Sequence, residues 1–190
     1  MSPAEGTPRA SDLIPGLEPE SGLERRLAQD PVLLEGWAWG NPRPGHPEGA
    51  VGAHVADLLR TIEEWGETGT RREELWLLAL LHDTLKFKVN HARRRTGENY
   101  HAMRARRFAE AYLDDERLLA ALELHDRPYG IWRKLRRTGR LDEERFDDML
   151  ERVPDLDLFE RFVELDASTE GKHPEPLDWF RSELSRRSGD

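Results

Sequence analysis

The feature that most constrains this chain is an offset that recurs. Leu75, Leu78 and Ala79 precede His82 by seven, four and three residues. Leu118, Ala121 and Leu122 precede His125 at the same offsets, and Phe159, Phe162 and Val163 precede Asp166 at them again. Residues so spaced share one face of an α-helix. Each of these helices therefore aims an imidazole or a carboxylate at the interior, where a hydrophobe is expected. His54 sits at the edge of a fourth stripe made by Val51, Val55, Leu58 and Ile62, and His101 heads a fifth that runs through Ala105, Phe108 and Tyr112. A polar group buried without a partner costs on the order of 2–7 kcal/mol. One such histidine reads as a hydrogen-bonded core residue. The same device on five helices, with Asp83 beside His82, points to a shared divalent ion that pairs the groups, as helix bundles do.

The chain has 190 residues and no cysteine. That length supports one domain with a substantial core. Without thiolates any metal must take nitrogen and oxygen ligands, which suits Mn, Fe, Co, Ni or Zn; Mg fits several imidazoles less well. One or two ions are expected. Charged residues make up 35% and the net charge is −9. A net anion is repelled by the phosphate backbone, so indiscriminate DNA binding is not expected, while a local basic pocket stays open. No run approaches the roughly 18 apolar residues of a membrane span, and the N-terminus lacks a basic-then-apolar signal. The expectation is a soluble, cytoplasmic protein.

Residues 1–20 are rich in Pro, Gly, Ser and Glu and read as a flexible tail. The pattern predicts a single helical domain over 21–190. A short helix is expected at Gly22–Gln29, then a loop carrying Trp37 and Trp39, continuing through the Pro/Gly-punctuated 40–49. Helices are predicted near 50–66, 72–87, 99–113, 115–126, 128–138, 141–152, 155–168 and 175–187, separated by glycine and proline breakers. No strand alternation and no internal repeat appears, so the fold class is all-α.

The order His54, His82-Asp83, Asp166 resembles the HD-domain superfamily of metal-dependent phosphohydrolases. "GHPEGAVGAHV" is similar to the first-helix entry of the HD domains of bacterial tRNA nucleotidyltransferases. "LALLHDTLK" is similar to the second-helix signature, with its lysine three residues after the HD pair. "NYHAMRARRFAE", "ELHDRPY" and "ELDASTEGK" resemble the later segments. The resemblance spans about 45–172 and implies a compact multi-helix HD-domain bundle. It implies that His54, His82, Asp83 and Asp166 hold one ion, and that His101 and His125 complete a second site with Asp83 bridging. Asp126 is an alternative ligand or an acceptor behind the ligands. Leu85 stands where the family often has glycine, immediately before Lys86.

The function implied by this resemblance is hydrolysis. A nucleotide, or a related phosphomonoester or phosphodiester, would be cleaved by attack of metal-bound hydroxide on phosphorus. Asp83 would orient the nucleophile. Lys86 would either stabilise charge on the phosphate oxygens or merely satisfy the end of its helix. Arg104, one turn from His101, and Arg127, two residues from His125, are the candidates for phosphate contact. Tyr129 and Trp132 could stack on a base or fill the core. His46 lies in the Pro/Gly loop as a structural or substrate-facing residue, and His91 and His173 read as surface histidines. Two other classes stay open: a nucleotide- or RNA-binding module without turnover, and an HD-like di-iron oxygenase. Oligomeric state is not legible.

Overall fold

The computed structural model describes residues 8–42 and 47–189. His46 lies outside these. The described residues are helical or irregular, with no strand among them. In chain order the helices are α1 (Ala10–Leu13), α2 (Gly22–Leu27), α3 (Pro31–Ala38), α4 (Val51–Glu64), α5 (Gly69–Leu81), α6 (His101–Ala109), α7 (Glu116–Leu124), α8 (Arg127–Thr138), α9 (Glu143–Arg152), α10 (Leu156–Ala167) and α11 (Glu175–Ser188). A 3-10 turn at Thr84–Lys88 follows α5, and a second, at Gly97–Asn99, precedes α6.

Local chemistry starts most of these helices. Asp30, Asp115 and Asp155 accept from free amide N–H groups of the first turn, at Val32 (2.8 Å), Arg117 (2.9 Å) and Leu158 (3.0 Å). Gly139, at φ 69°, ends α8 in the left-handed conformation that glycine adopts without strain. The apolar stripes then decide the packing. Helix α10 is central: Leu158, Phe159, Phe162 and Leu165 are fully buried, and it packs against α4, α5 and α7. Helices α6 and α7 pair with each other, and α8 rests on α9 and α11.

Three expectations need correction. The stretch 1–20 is not a tail throughout, because Ala10, Ile14 and Leu17 are buried in the core. An apolar residue every three or four positions in a Pro/Gly-rich segment was enough to anchor it. Trp37 is not in a loop either. It lies on α3, completely buried, and the Asp30-Pro31 start, with Asp at the cap and Pro in the first turn, is the signal for that helix. Finally, the helix expected over 72–87 stops at Leu81. His82 is its C-cap, and Lys86 lies in the following 3-10 turn.

Two glycines let the layers close around that helix end. A Cβ on Gly36 would stand 2.1 Å from the Thr84 carbonyl oxygen, and one on Gly52 would stand 2.4 Å from that of Leu13. Without them α3 could not lie against the turn after His82-Asp83, nor could the N-terminal segment lie on α4.

Candidate metal centre

The end of α5 is buried, so its last carbonyls need donors from elsewhere. His82 Nδ1 donates to Leu78 O (3.2 Å) and Ala79 O (3.1 Å). Trp37 Nε1 and the Thr84 hydroxyl both donate to Leu80 O, at 3.0 and 2.7 Å. Carbonyl oxygens only accept, so the His82 proton sits on Nδ1 and leaves the Nε2 lone pair facing inward. His125, the C-cap of α7, repeats this with Nδ1 donating to Leu122 O at 2.9 Å. Fixing the tautomer through a backbone carbonyl is how ligating histidines are oriented.

Five helix ends converge on these two rings. His54 comes from the first turn of α4, His101 opens α6, and Asp166 lies in the last turn of α10. His54 Nε2 is 3.1 Å from Asp166 Oδ1, and His82 Nε2 is 3.7 Å from the same oxygen. Asp83 faces both sides. Its Oδ2 is 3.5 Å from His82 Nε2, while its Oδ1 is 3.4 Å from His101 Nε2 and 3.7 Å from His125 Nε2. Two groups of ligand atoms result, His54-His82-Asp83 and Asp83-His101-His125, and every residue of both is buried. Phe162 stacks edge-on beneath His82 and His125 and keeps that side dry.

The donor set fits divalent ions. His82 Nε2 and Asp83 Oδ1 are fully buried and make no hydrogen bond. Donors held about 2.1 Å from one ion lie about 3–3.5 Å apart, close to the separations seen here. The electrostatics agree. Burial pushes His82 down to about 3 and His101 to about 4, so both present neutral lone pairs. Burial also acts to lower His125, but the contact with Asp83 and the charges of Asp126, Asp83 and Asp166 outweigh it and hold it up at about 9. Burial acts against ionising Asp83 and Asp166, yet Lys86 and Lys172 respectively, with the neighbouring histidines, keep both well below the usual carboxylate range. Burial likewise opposes charge on Asp126, and His125, His101 and Lys86 overcome it. Three carboxylates thus stay ionised around the imidazoles, countered by Lys86, Lys172 and a charged His125, whose place a divalent cation could take.

The rim carries its own cations. Lys86 Nζ donates to Asp83 Oδ2, so Leu85, buried in the 3-10 turn, does not displace it. In a 3-10 turn residues three apart eclipse, which favours this pairing. Lys172 Nζ donates to Asp166 Oδ1 at 3.3 Å. Sequence reasoning gave Lys172 no role. The sign was there in Gly171, whose φ of 83° turns the chain back over the end of α10. Glu48 was also missed, lying in the 40–49 loop; its Oε1 is 3.6 Å from His54 Nδ1. Asp126 stands at the rim, 3.3 Å from His101 Nε2, and accepts from the Tyr100 hydroxyl at 3.1 Å. A small pocket lined by Trp39, Glu48, His54, Asp83 and Lys86 holds about 10 Å³, about the space of one water or ion.

The expected phosphate contacts part company. Arg127 pairs with Asp148 on α9 at 2.7 Å. Arg104 is half-buried one turn after His101, and its Nε is buried without a hydrogen bond. His91 is hydrogen-bonded to Arg95 at the surface, and His173 is exposed. No helix among the described residues is long and apolar enough to cross a membrane.

An all-helical protein with a buried histidine-carboxylate centre suited to divalent ions is the class that this fold and site define. Sequence comparison places it more closely: the HD domain matches residues 51–163, well over half of the chain, and the chain belongs to the HD-domain family. That family consists in general of metal-dependent phosphohydrolases. The match ends before Asp166, which its own apolar stripe already points inward, and before Lys172, which the fold alone brings to the site. No curated protein and no solved structure matches the chain.

Proposed function

We propose that the protein hydrolyses a small phosphorylated substrate, a nucleotide or a related phosphomonoester or phosphodiester. The observation that carries this reading is Asp83. Its two oxygens face two different sets of histidines, and lysines contact it and its partner Asp166 from the rim. A divalent ion, if bound there, would supply a water of lowered pKa and a Lewis acid for a phosphoryl oxygen.

The chain's own residues supply the rest. His54, His82, Asp83 and Asp166 would hold the first ion, and His101 and His125, with Asp83, would complete a second site. Glu48 lies 3.6 Å from His54 Nδ1, near enough to act on that ring by charge. The side chain of Lys86, 21% exposed, and that of Lys172, 25% exposed, bring ammonium groups to the solvent-facing rim, where a phosphate can reach the centre. There they trade a carboxylate for phosphoryl oxygens, whose charge grows in the transition state. A pocket with room for about one water or ion is too small for the substrate itself, which would lie across this rim.

The deciding experiment is elemental analysis of protein loaded with Mn, Fe, Co, Ni or Zn, wild type beside His82→Ala, followed by a phosphate-release screen. One or two ions per chain, lost in the variant, with phosphate released and no oxygen consumed, is the expected result. Absence of metal from both proteins would overturn the reading. Oxygen consumption without phosphate release would replace it with a di-iron oxygenase, and tight nucleotide binding without turnover would replace it with a binding module.

A further inference from the structure

Helix α8 leaves the metal centre carrying an unusual outer surface. Pro128 and Ile131 are buried toward the core, with Leu135 half-buried on the same side. Arg127, Gly130 and Lys134 face α9: Arg127 pairs with Asp148, Lys134 pairs with Asp142 at 2.7 Å, and the Arg145 guanidinium lies over Gly130. The remaining stripe is Tyr129, Trp132, Arg133, Arg136 and Arg140, which recur at helical spacing along about 16 Å of α8 and its C-terminal end. Tyr129 is 48% exposed, one of the two large hydrophobic residues that stand clear of the core among the described residues. Its ring stacks with that of Trp132 at 5.9 Å between centroids and 28° between planes. Arg133 stands over Tyr129 at 5.8 Å, and Arg136 over Trp132 at 6.0 Å.

About half of the arginines among the described residues are tied to carboxylates, so what distinguishes this face is that its unpaired arginines cluster on one helix beside exposed aromatic rings. Arg133, Arg136, Arg140 and the adjoining Arg137 make no ion pair among the described residues, in a chain whose net charge is −9. Cations left unpaired against so acidic a background mark a surface meant for an anion. The rings say which kind. A carboxylate-rich protein needs only the guanidinium groups. Two near-parallel aromatic faces alternating with guanidinium groups are a stacking platform for bases along a charged backbone. We propose that the outer face of α8 binds single-stranded nucleic acid. The stripe begins one turn beyond Asp126, which lies 3.3 Å from His101, so a strand seated on it has one end at the metal centre. Binding does not depend on which phosphoester the centre hydrolyses.

The test is fluorescence anisotropy of the full chain, without added metal, titrated onto a labelled oligouridylate of about twelve nucleotides, a length within single-strand site sizes. Saturable binding is expected, with log affinity falling against log salt with a slope of about −2 for three arginines. Arg133→Glu combined with Arg136→Glu should abolish it. Tyr129→Ala, an exposed substitution, should weaken it about tenfold with the salt slope unchanged. Absence of saturable binding at about 50 mM salt would overturn the proposal. So would binding that the arginine variant leaves intact. Competition by poly-L-glutamate as effective as by unlabelled oligouridylate, with Tyr129→Ala neutral, would assign the face to an acidic protein instead. None of these readings requires turnover, so failure here and failure of the hydrolase reading are separable.

Discussion

The chain contains two His-Asp pairs, and they look alike in the sequence. Each comes after an apolar stripe at the same three offsets, and each histidine caps its helix by donating Nδ1 to a carbonyl three or four residues back. Yet Asp83 is buried and shared between two ligand groups, whereas the side chain of Asp126 is 36% exposed at the rim. The chain's path beyond each pair makes the difference. After Asp83 it takes a 3-10 turn beneath Gly36 of α3, which seals the carboxylate inside and swings Lys86 onto it. After Asp126 a new helix starts at once with Pro128 in its first turn, and the carboxylate is left beside Tyr100 and His101. The histidines diverge accordingly. Burial dominates at His82, while the carboxylates around His125 dominate there. A motif of two residues specifies a ligand type; its environment specifies the job.

Removing each carboxylate in turn separates the two pairs most strongly. Asp83→Asn should reduce bound metal to background and abolish phosphate release, because Asp83 belongs to both groups; elemental analysis of Asp83→Asn reads this directly. Acidification comes next. His82 and His101 have lowered values in the folded protein, about 3 and about 4, against 6.5 unfolded. The unfolded chain therefore binds more protons below pH 6.5, and stability is lost as pH falls from there toward 4. Metal-free protein should show its urea midpoint dropping steadily over that window, and a flat midpoint would refute the neutral assignment.

The cations after the two pairs sharpen the contrast further. Lys86→Met should leave metal content intact and lower kcat on the order of 100-fold, as expected for losing one donor to transition-state charge. Unchanged kcat would reduce Lys86 to a countercharge for Asp83. Asp126→Asn should weaken metal affinity about tenfold, the lower end of what loss of an orienting partner costs, and should leave the stoichiometry recoverable at high metal concentration. Arg127→Ala should do least. Its guanidinium is engaged by the half-exposed Asp148, so urea unfolding should register under about 1 kcal/mol. A KM that rises in this variant would return Arg127 to the substrate site.

Much of the helical plan was legible. Helices α4 and α6 to α11 lie within a few residues of where the stripes predicted them. The errors have local causes. A 3.6-residue period runs on through His82, Asp83 and Lys86, so the change to a 3-10 turn leaves no trace in hydrophobicity. Ala10, Ile14 and Leu17 sit in a composition typical of tails, and only the presence of a surface to pack on makes them core. Tyr129 and Trp132 could belong to either side of α8, and periodicity does not say which side α9 and α11 leave open.

The sequence by itself determined the fold class and the identity of the inward-pointing histidines and carboxylates, because side-chain direction on a helix is set by spacing along the chain. It also carried the N-cap aspartates and the glycine stops that delimit the helices. Only the tertiary structure decided that five helix ends meet at one point, that Asp83 lies between two sets of ligands while Asp126 does not, and that Lys172 folds back across Gly171 to Asp166. Those facts depend on how close two helices can approach. That distance is set by contacts such as Gly36 against Thr84 and Gly52 against Leu13, between residues that no local period connects.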